Sequence, residues 1–199
     1  MNLAKCQLAV CPYCGEKKEI IRLLSGNTFG SVLWSDAKEV MPMCPSASPI
    51  QKCPRCGHFY FLEKVLLKEG DKYSEQKGWL DFEDALKANV ELSSLSIEQE
   101  ETLTLVLVWS YNDKIRNGCD PGIEQYTHFE NILESKLMLP IFQHNVLLKA
   151  ELYREIEKYD ECVKILREFK VPDCFLMSVA EQILSRVKQA DNKVFIIDR

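Results

Sequence analysis

The apolar positions of this chain follow two rhythms. Up to about residue 62 they come in short runs cut by turn residues. These are Leu8-Ala9-Val10, the stretch 17–24, a hairpin of 30–34 and 39–43 around Ser35-Asp36-Ala37-Lys38, and the aromatic run His58-Phe59-Tyr60-Phe61-Leu62. Runs this short, bounded by Gly, Pro, Ser and Asn, predict strands. Residues 42–49 hold three prolines and read as loop. Beyond residue 78 glycine nearly disappears, with only Gly118 and Gly122 remaining, and the apolar period becomes that of a helix.

Capping residues divide this second stretch. Asp81 caps a helix to about 92. Ser96-Ile97-Glu98-Gln99 is a capping box that opens a helix to 117, ended by Gly118. Its middle, Leu103 through Trp109, is apolar all round and predicts a buried helix. Pro121 and Pro140 start helices to about 135 and 158, Asp160 opens one to 169, and 174–190 forms the last. The apolar stripes include Leu86, Leu103, Val106, Leu107, Ile132, Leu147, Leu166 and Ile183. The tail 194–197 is apolar, and either returns as a strand or extended cover or frays. Short links imply antiparallel neighbouring helices. The expected fold is therefore α+β: a small β domain over 1–70, a polar link at 68–78, and a helical domain over 79–199.

Charge follows the same division. Residues 1–70 hold nine Lys/Arg against six Asp/Glu, and 71–199 hold sixteen against twenty-four. Neither part has the strongly basic footprint of a nucleic-acid binder. At 46% apolar and 28% charged the composition is that of an ordinary globular protein. The first residues lack the apolar core of a signal peptide, and no run approaches a membrane span. A reducing cytoplasm is the expected compartment, with the cysteines outside the motif described next as free thiols.

Those cysteines carry the chemistry. Cys11-Pro12-Tyr13-Cys14-Gly15 and Cys53-Pro54-Arg55-Cys56-Gly57 are near copies, separated by thirty-eight residues counted between Cys14 and Cys53. Two intervening residues let both sulfurs of a pair turn toward one ion. Proline presets φ and removes a donor, and glycine permits the positive φ of a tight turn. Four thiolates in two pairs form a tetrahedral site, with zinc the default occupant and iron the alternative. With all four ligands from protein no position stays open, so the site is structural rather than catalytic. Of the other five cysteines, Cys44 and Cys6 are spare candidates for the site, Cys162 and Cys174 fall on apolar helix faces, and Cys119 has no assigned role.

The two pentads resemble the knuckles of zinc ribbons over about residues 5–65, with an insert longer than usual. They are also similar to those of rubredoxins, which would imply one iron. Residues 146–172 resemble a degenerate tetratricopeptide repeat: Val146 at the large first position, Ala150 and Cys162 at the small ones, Tyr153 at the tyrosine. Lys149 and Glu157 depart from the pattern, and Pro172 arrives two residues early. The layout as a whole resembles that of certain bacterial proteins, which adds no function.

The repeat resemblance implies stacked helical hairpins with a concave peptide-binding face, to which His144, Leu147, Glu151 and Arg154 would contribute. Tyr111, Asn112 and Arg116 mix aromatic and polar groups within two turns, a mixture that suits an interface. The expected function is a non-enzymatic adaptor that binds a protein or peptide. Nucleic-acid binding through Lys17, Lys18, Arg22, Lys52 and Arg55 beside Tyr13 is the alternative, as is rubredoxin-like redox chemistry. No HExxH, phosphate loop or Gly-x-Ser-x-Gly is present to suggest an enzyme.

Overall fold

The computed structural model describes residues 2–3, 7–20, 23–44, 46–64, 67–69 and 79–198. Cys6, Arg22 and most of the expected polar link lie outside them. Nine short strands precede seven α-helices among the described residues. The architecture is α+β, with antiparallel hairpins first and helices after.

The strands are β1 (Asn2–Leu3), β2 (Gln7–Val10), β3 (Lys17–Ile20), β4 (Leu23–Ser25), β5 (Val32–Leu33), β6 (Glu39–Val40), β7 (Ile50–Lys52), β8 (Phe59–Phe61) and β9 (Leu67–Glu69). They form four small sheets, ordered β1-β4, β3-β2-β9, β5-β6 and β7-β8. All pairings are antiparallel. The pairing of β9 on β2 was not legible in the sequence: Lys68, read as the start of a polar link, sits opposite Leu8.

The helices are α1 (Phe82–Glu91), α2 (Ile97–Arg116), α3 (Gly122–Lys136), α4 (Pro140–His144), α5 (Val146–Glu155), α6 (Tyr159–Glu168) and α7 (Cys174–Lys188). Local chemistry sets their ends. The Asp81 carboxylate accepts from the Asp84 amide at 2.8 Å. The Ser96–Gln99 box closes both ways, at 3.2 and 3.3 Å, satisfying two donors that the first turn of α2 leaves free. Gly118, at φ 74, lets the chain turn out of α2. One expected helix, 140–158, is two. Asn145 leaves helical geometry and its side chain accepts from the Leu148 amide at 3.1 Å, so it caps α5 instead of continuing α4.

The contacts gather into two units: 1–31 with 41–110, and 32–40 with 111–199. This grouping differs from a division at 68–78. The helix α1 and most of α2 group with the β segments, and the hairpin β5–β6 groups with the later helices. Side-chain chemistry explains both assignments. In the first unit Lys52 of β7 pairs with Asp84 of α1 at 2.7 Å, the Phe59 amide of β8 donates to Glu91 at 3.1 Å, and Gln99 of α2 donates to Glu63 at 3.0 Å. Trp79 and Trp109 meet edge to face at 5.6 Å.

In the second unit Ala150, Cys162, Leu166, Val179, Ala180 and Ile183 form a core on α5, α6 and α7, joined by Phe195 and Ile197. Ala150 and Cys162 are fully buried, as small residues are where two helices approach closely. The tail does not fray. The Ser35 amide donates to Phe195 O and the Ile197 amide to Leu33 O, both at 2.9 Å, so the tail lies antiparallel along β5. Leu33 packs against the same core.

This unit also buries charge. Arg154 and Glu151 are both fully inaccessible and pair at 2.5 and 2.8 Å. Arg154 donates further to the carbonyls of Asp191 and, at 3.0 Å, Lys193. Asp36, from the β5–β6 turn, pairs with Arg116 and accepts from Asn112 at 3.0 Å. Asn112 also donates to both carboxylate oxygens of Glu155, at 3.1 and 3.0 Å. Burial holds Glu155 well above the usual carboxylate range, and the negative neighbours Glu151 and Asp36 push the same way. The opposing influence of Arg154 and Asn112 is smaller.

Two outcomes follow. Arg154→Ala leaves Glu151 buried without its counter-charge, and should cost about 3–5 kcal/mol in urea unfolding. Glu155 binds its proton more tightly folded than unfolded, so its contribution to stability is whole below the ordinary glutamate pKa and is lost as pH rises toward the folded value. Glu155→Gln should therefore flatten that decline, and its midpoint should exceed that of the native chain at alkaline but not acidic pH.

Candidate metal centre

Each cysteine pair sits in a turn that the flanking strands hold in register. Val10 pairs with Lys17 across the first turn and Lys52 with Phe59 across the second. The turns repeat one hydrogen-bond pattern. Cys11 N donates to Glu16 O at 2.8 Å and Gly15 N to Cys11 O at 3.0 Å. Cys53 N donates to His58 O at 2.9 Å and Gly57 N to Cys53 O at 3.0 Å. Gly15 and Gly57 have φ of 73 and 78. A Cβ at either would meet nothing within 4 Å, so the backbone angle and not space calls for glycine there.

The turns bring Cys11, Cys14, Cys53 and Cys56 together with all four sulfurs within 4.8 Å of one another. Cys11 Sγ lies 3.8 Å from Cys56 Sγ, and Cys14 Sγ 3.5 Å from Cys53 Sγ. Metal–sulfur bonds of about 2.3 Å in a regular tetrahedron place sulfurs about 3.8 Å apart. The donor set and its spacing therefore fit one tetrahedral ion. Zinc and iron both accept four thiolates, and the geometry is common to them.

The electrostatics of the metal-free cluster are uneven. Burial opposes ionisation of Cys53, but the amides of Cys56 and Arg55 and the neighbouring thiols outweigh it and bring the thiol down to about 6. The Cys56 amide lies 3.5 Å from Cys53 Sγ. At Cys56 the His58 amide favours the thiolate, yet burial and the other three sulfurs push it up to about 12. Cys14 is raised as well, despite the Glu16 amide. Sulfurs this close cannot all ionise without a cation among them, so binding an ion displaces protons.

Other groups surround the sulfurs. Tyr60 packs against Cys11 and Cys53, with Cys14 at the edge of the same cluster. Its hydroxyl is buried and has no hydrogen-bond partner among the described residues. Burial, then the charge of the sulfurs, pushes the phenol up to about 12. The half-buried Lys18 is lowered by desolvation, with Cys53 opposing. His58 stacks on Tyr13 at 4.6 Å, and its Nδ1 lies 2.8 Å from Glu91 Oε1, beside the sulfurs and not among them. Tyr60 was visible in the sequence only as part of an aromatic strand. Its place two residues beyond His58 was the available signal.

Cys44 stands apart, its Sγ bonded to Asn27 O at 3.1 Å. Most of the candidate partner contacts are buried or half-buried. Tyr111 is buried and stacked on Phe129 at 4.1 Å. Asn112, Glu151 and Arg154 are fully buried in the charged network described above. The Arg116 side chain is 6% exposed, pairs with Asp36 and Asp113, and lies over Trp34. Leu147 packs on the helical core. Of these candidates His144 alone is exposed. Helical periodicity placed the residues on faces, but the side chains found their partners within the unit. The basic patch is likewise partly committed, Lys52 to Asp84 at 2.7 Å and Arg55 to Glu16 at 3.8 Å.

Comparison with protein-family models, curated proteins and solved structures finds no match. No helix, among the described residues, is long and apolar enough to cross a membrane.

The ligand set can be tested directly. Cys14→Ser and Cys53→Ser should each lose the bound ion and loosen the first unit. Cys44→Ser should retain a full equivalent by elemental analysis, and equal loss in all three variants would point to a different set.

Proposed function

We propose that the chain is a non-enzymatic, zinc-stapled interaction protein. The observation that carries this reading is the closed sulfur cluster. Four protein thiolates fill a tetrahedral ion, leaving no position for water or substrate, so the ion holds chain segments together. The paired Cys-Pro-x-Cys-Gly turns on antiparallel hairpins support a zinc-ribbon assignment. The α5–α6 hairpin, with Ala150 and Cys162 at its close approach, supports a tetratricopeptide-like one. A protein or peptide is the proposed partner class. With the buried candidates set aside, exposed His144 is the remaining contact proposed from the sequence. The exposed thiols Cys119 and Cys174 favour a reducing, cytoplasmic setting.

Elemental analysis of natively purified protein should find about one zinc per chain. Iron with visible charge-transfer absorption would replace this reading with a rubredoxin-like one. Chelation provides the second measurement. Small β segments cannot bury enough surface alone, so removing the ion should release residues 7–20 and 50–61. The helix α1 should loosen with them, because Lys52 and the Phe59 amide hold its carboxylates. Amide hydrogen exchange should rise first there and remain slow in α5, α6 and α7.

A further inference from the structure

The main chain of residues 191–198 is held by side chains as much as by a neighbouring strand. Arg154, on α5, donates to the carbonyl of Asp191 and, at 3.0 Å, to that of Lys193. Its guanidinium and that of Arg186, on α7, both lie over the Phe195 ring, at 5.2 and 4.8 Å. The Gln182 side-chain amide bonds Asp198 both ways, donating to its carbonyl at 3.1 Å and accepting from its amide at 2.9 Å. Between these grips the segment adds to β5. The Ser35 hydroxyl accepts from the Phe195 amide at 3.1 Å, beside the main-chain bonds of Ser35 to Phe195 and of Ile197 to Leu33. Val194, Phe195 and Ile197 are buried, while Ile196 is 51% exposed. Main-chain bonds along an added strand, with pockets for particular side chains, are how domains hold extended peptides.

Arg154 is also one of the residues that the repeat resemblance implies for a peptide-binding face, and the peptide it meets is the chain's own. The helix α7 ends at Lys188, and the link residues Gln189 and Ala190 are exposed. A link this short holds the segment at an effective concentration of about millimolar, so even modest affinity keeps the surface filled.

We infer that the surface formed by β5, α5 and α7 is a peptide-recognition site and that residues 191–198 are its ligand, held in cis. The ligand class is an extended segment with an aromatic ring set among aliphatic residues, as in Val194-Phe195-Ile196-Ile197. A partner segment of that pattern enters by displacing the chain's own. The inference rests on the protein-or-peptide reading above and names its site.

A protease recognition sequence inserted at Gln189–Ala190 lets the full chain fold before the link is cut. The cut chain is then challenged with a fluorescent synthetic peptide of residues 191–199. The expected result is one-to-one uptake by anisotropy with helical circular dichroism unchanged, and no uptake by the uncut chain, whose site is filled. A peptide carrying Phe195→Ala should bind at least about tenfold more weakly, since it loses the buried ring and both cation–π contacts. If the segment is only the closing strand of the core, the outcome differs. Helicity lost on cutting, no uptake by the cut chain, equal uptake by the uncut chain, or equal binding of the two peptides would each overturn the assignment. Metal content measured on the same samples keeps the two readings apart: missing zinc counts against the metal-stapled reading, while uptake of the peptide decides this site.

Discussion

Four sulfurs must meet, and the first unit is built around that requirement. Its strands are two to four residues long, too short to bury a core of their own. What they can do is hold two tight turns in register. The turns use the same amide donors and the same positive-φ glycine, so one local solution occurs twice. Once the sulfurs are gathered, a cation is the natural means of relieving their mutual repulsion. The helix α1 then braces the arrangement from the carboxylate side, with Asp84 on Lys52 and Glu91 on the Phe59 amide. Local turn chemistry, charge relief and helix docking depend on one another in that order.

The second unit solves a different problem with polar chemistry. An apolar core on α5, α6 and α7 is joined to a network in which arginine, glutamate, asparagine and aspartate are almost entirely dry. Such groups rarely add net stability over apolar ones, but they are unforgiving of misplacement. Arg154 ties two tail carbonyls, and Asn112 ties the β5–β6 turn to α5 through Asp36 and Glu155. The network thus fixes where two chain segments distant in sequence must lie.

Much of this was legible in the residues themselves. The cysteine pairs, the capping box at Ser96–Gln99 and the glycine stop at Gly118 are local signals whose partners lie within a few positions. The same holds for Asp81 and the break at Gly118. Signals that depend on distant partners were not legible. Periodicity marks a face as apolar or polar, but cannot reveal that Glu151 and Arg154 satisfy each other inside. Asn145 reads as helical by pattern and caps by chemistry. The pairing of β9 with β2 joins Leu8 to Lys68 and so links segments far apart in the sequence, and nothing in Leu67-Lys68-Glu69 announces it. Tyr60 lies between these cases, named in an aromatic strand whose packing against Cys11 and Cys53 becomes visible only in the structure.

The hairpin β5–β6 lies in the chain between the two cysteine pairs, yet its partners all come from later in the sequence. Leu33 bonds the Ile197 amide, Ser35 the Phe195 carbonyl, and Asp36 meets Asn112 and Arg116. During synthesis on a ribosome all four sulfurs emerge before any of those partners exist. The cluster can close while the hairpin still lacks those partners, and the helical unit is completed only when Phe195 and Ile197 arrive. The order of translation thereby separates the two units in time, with the earlier one keeping a strand in reserve for the later.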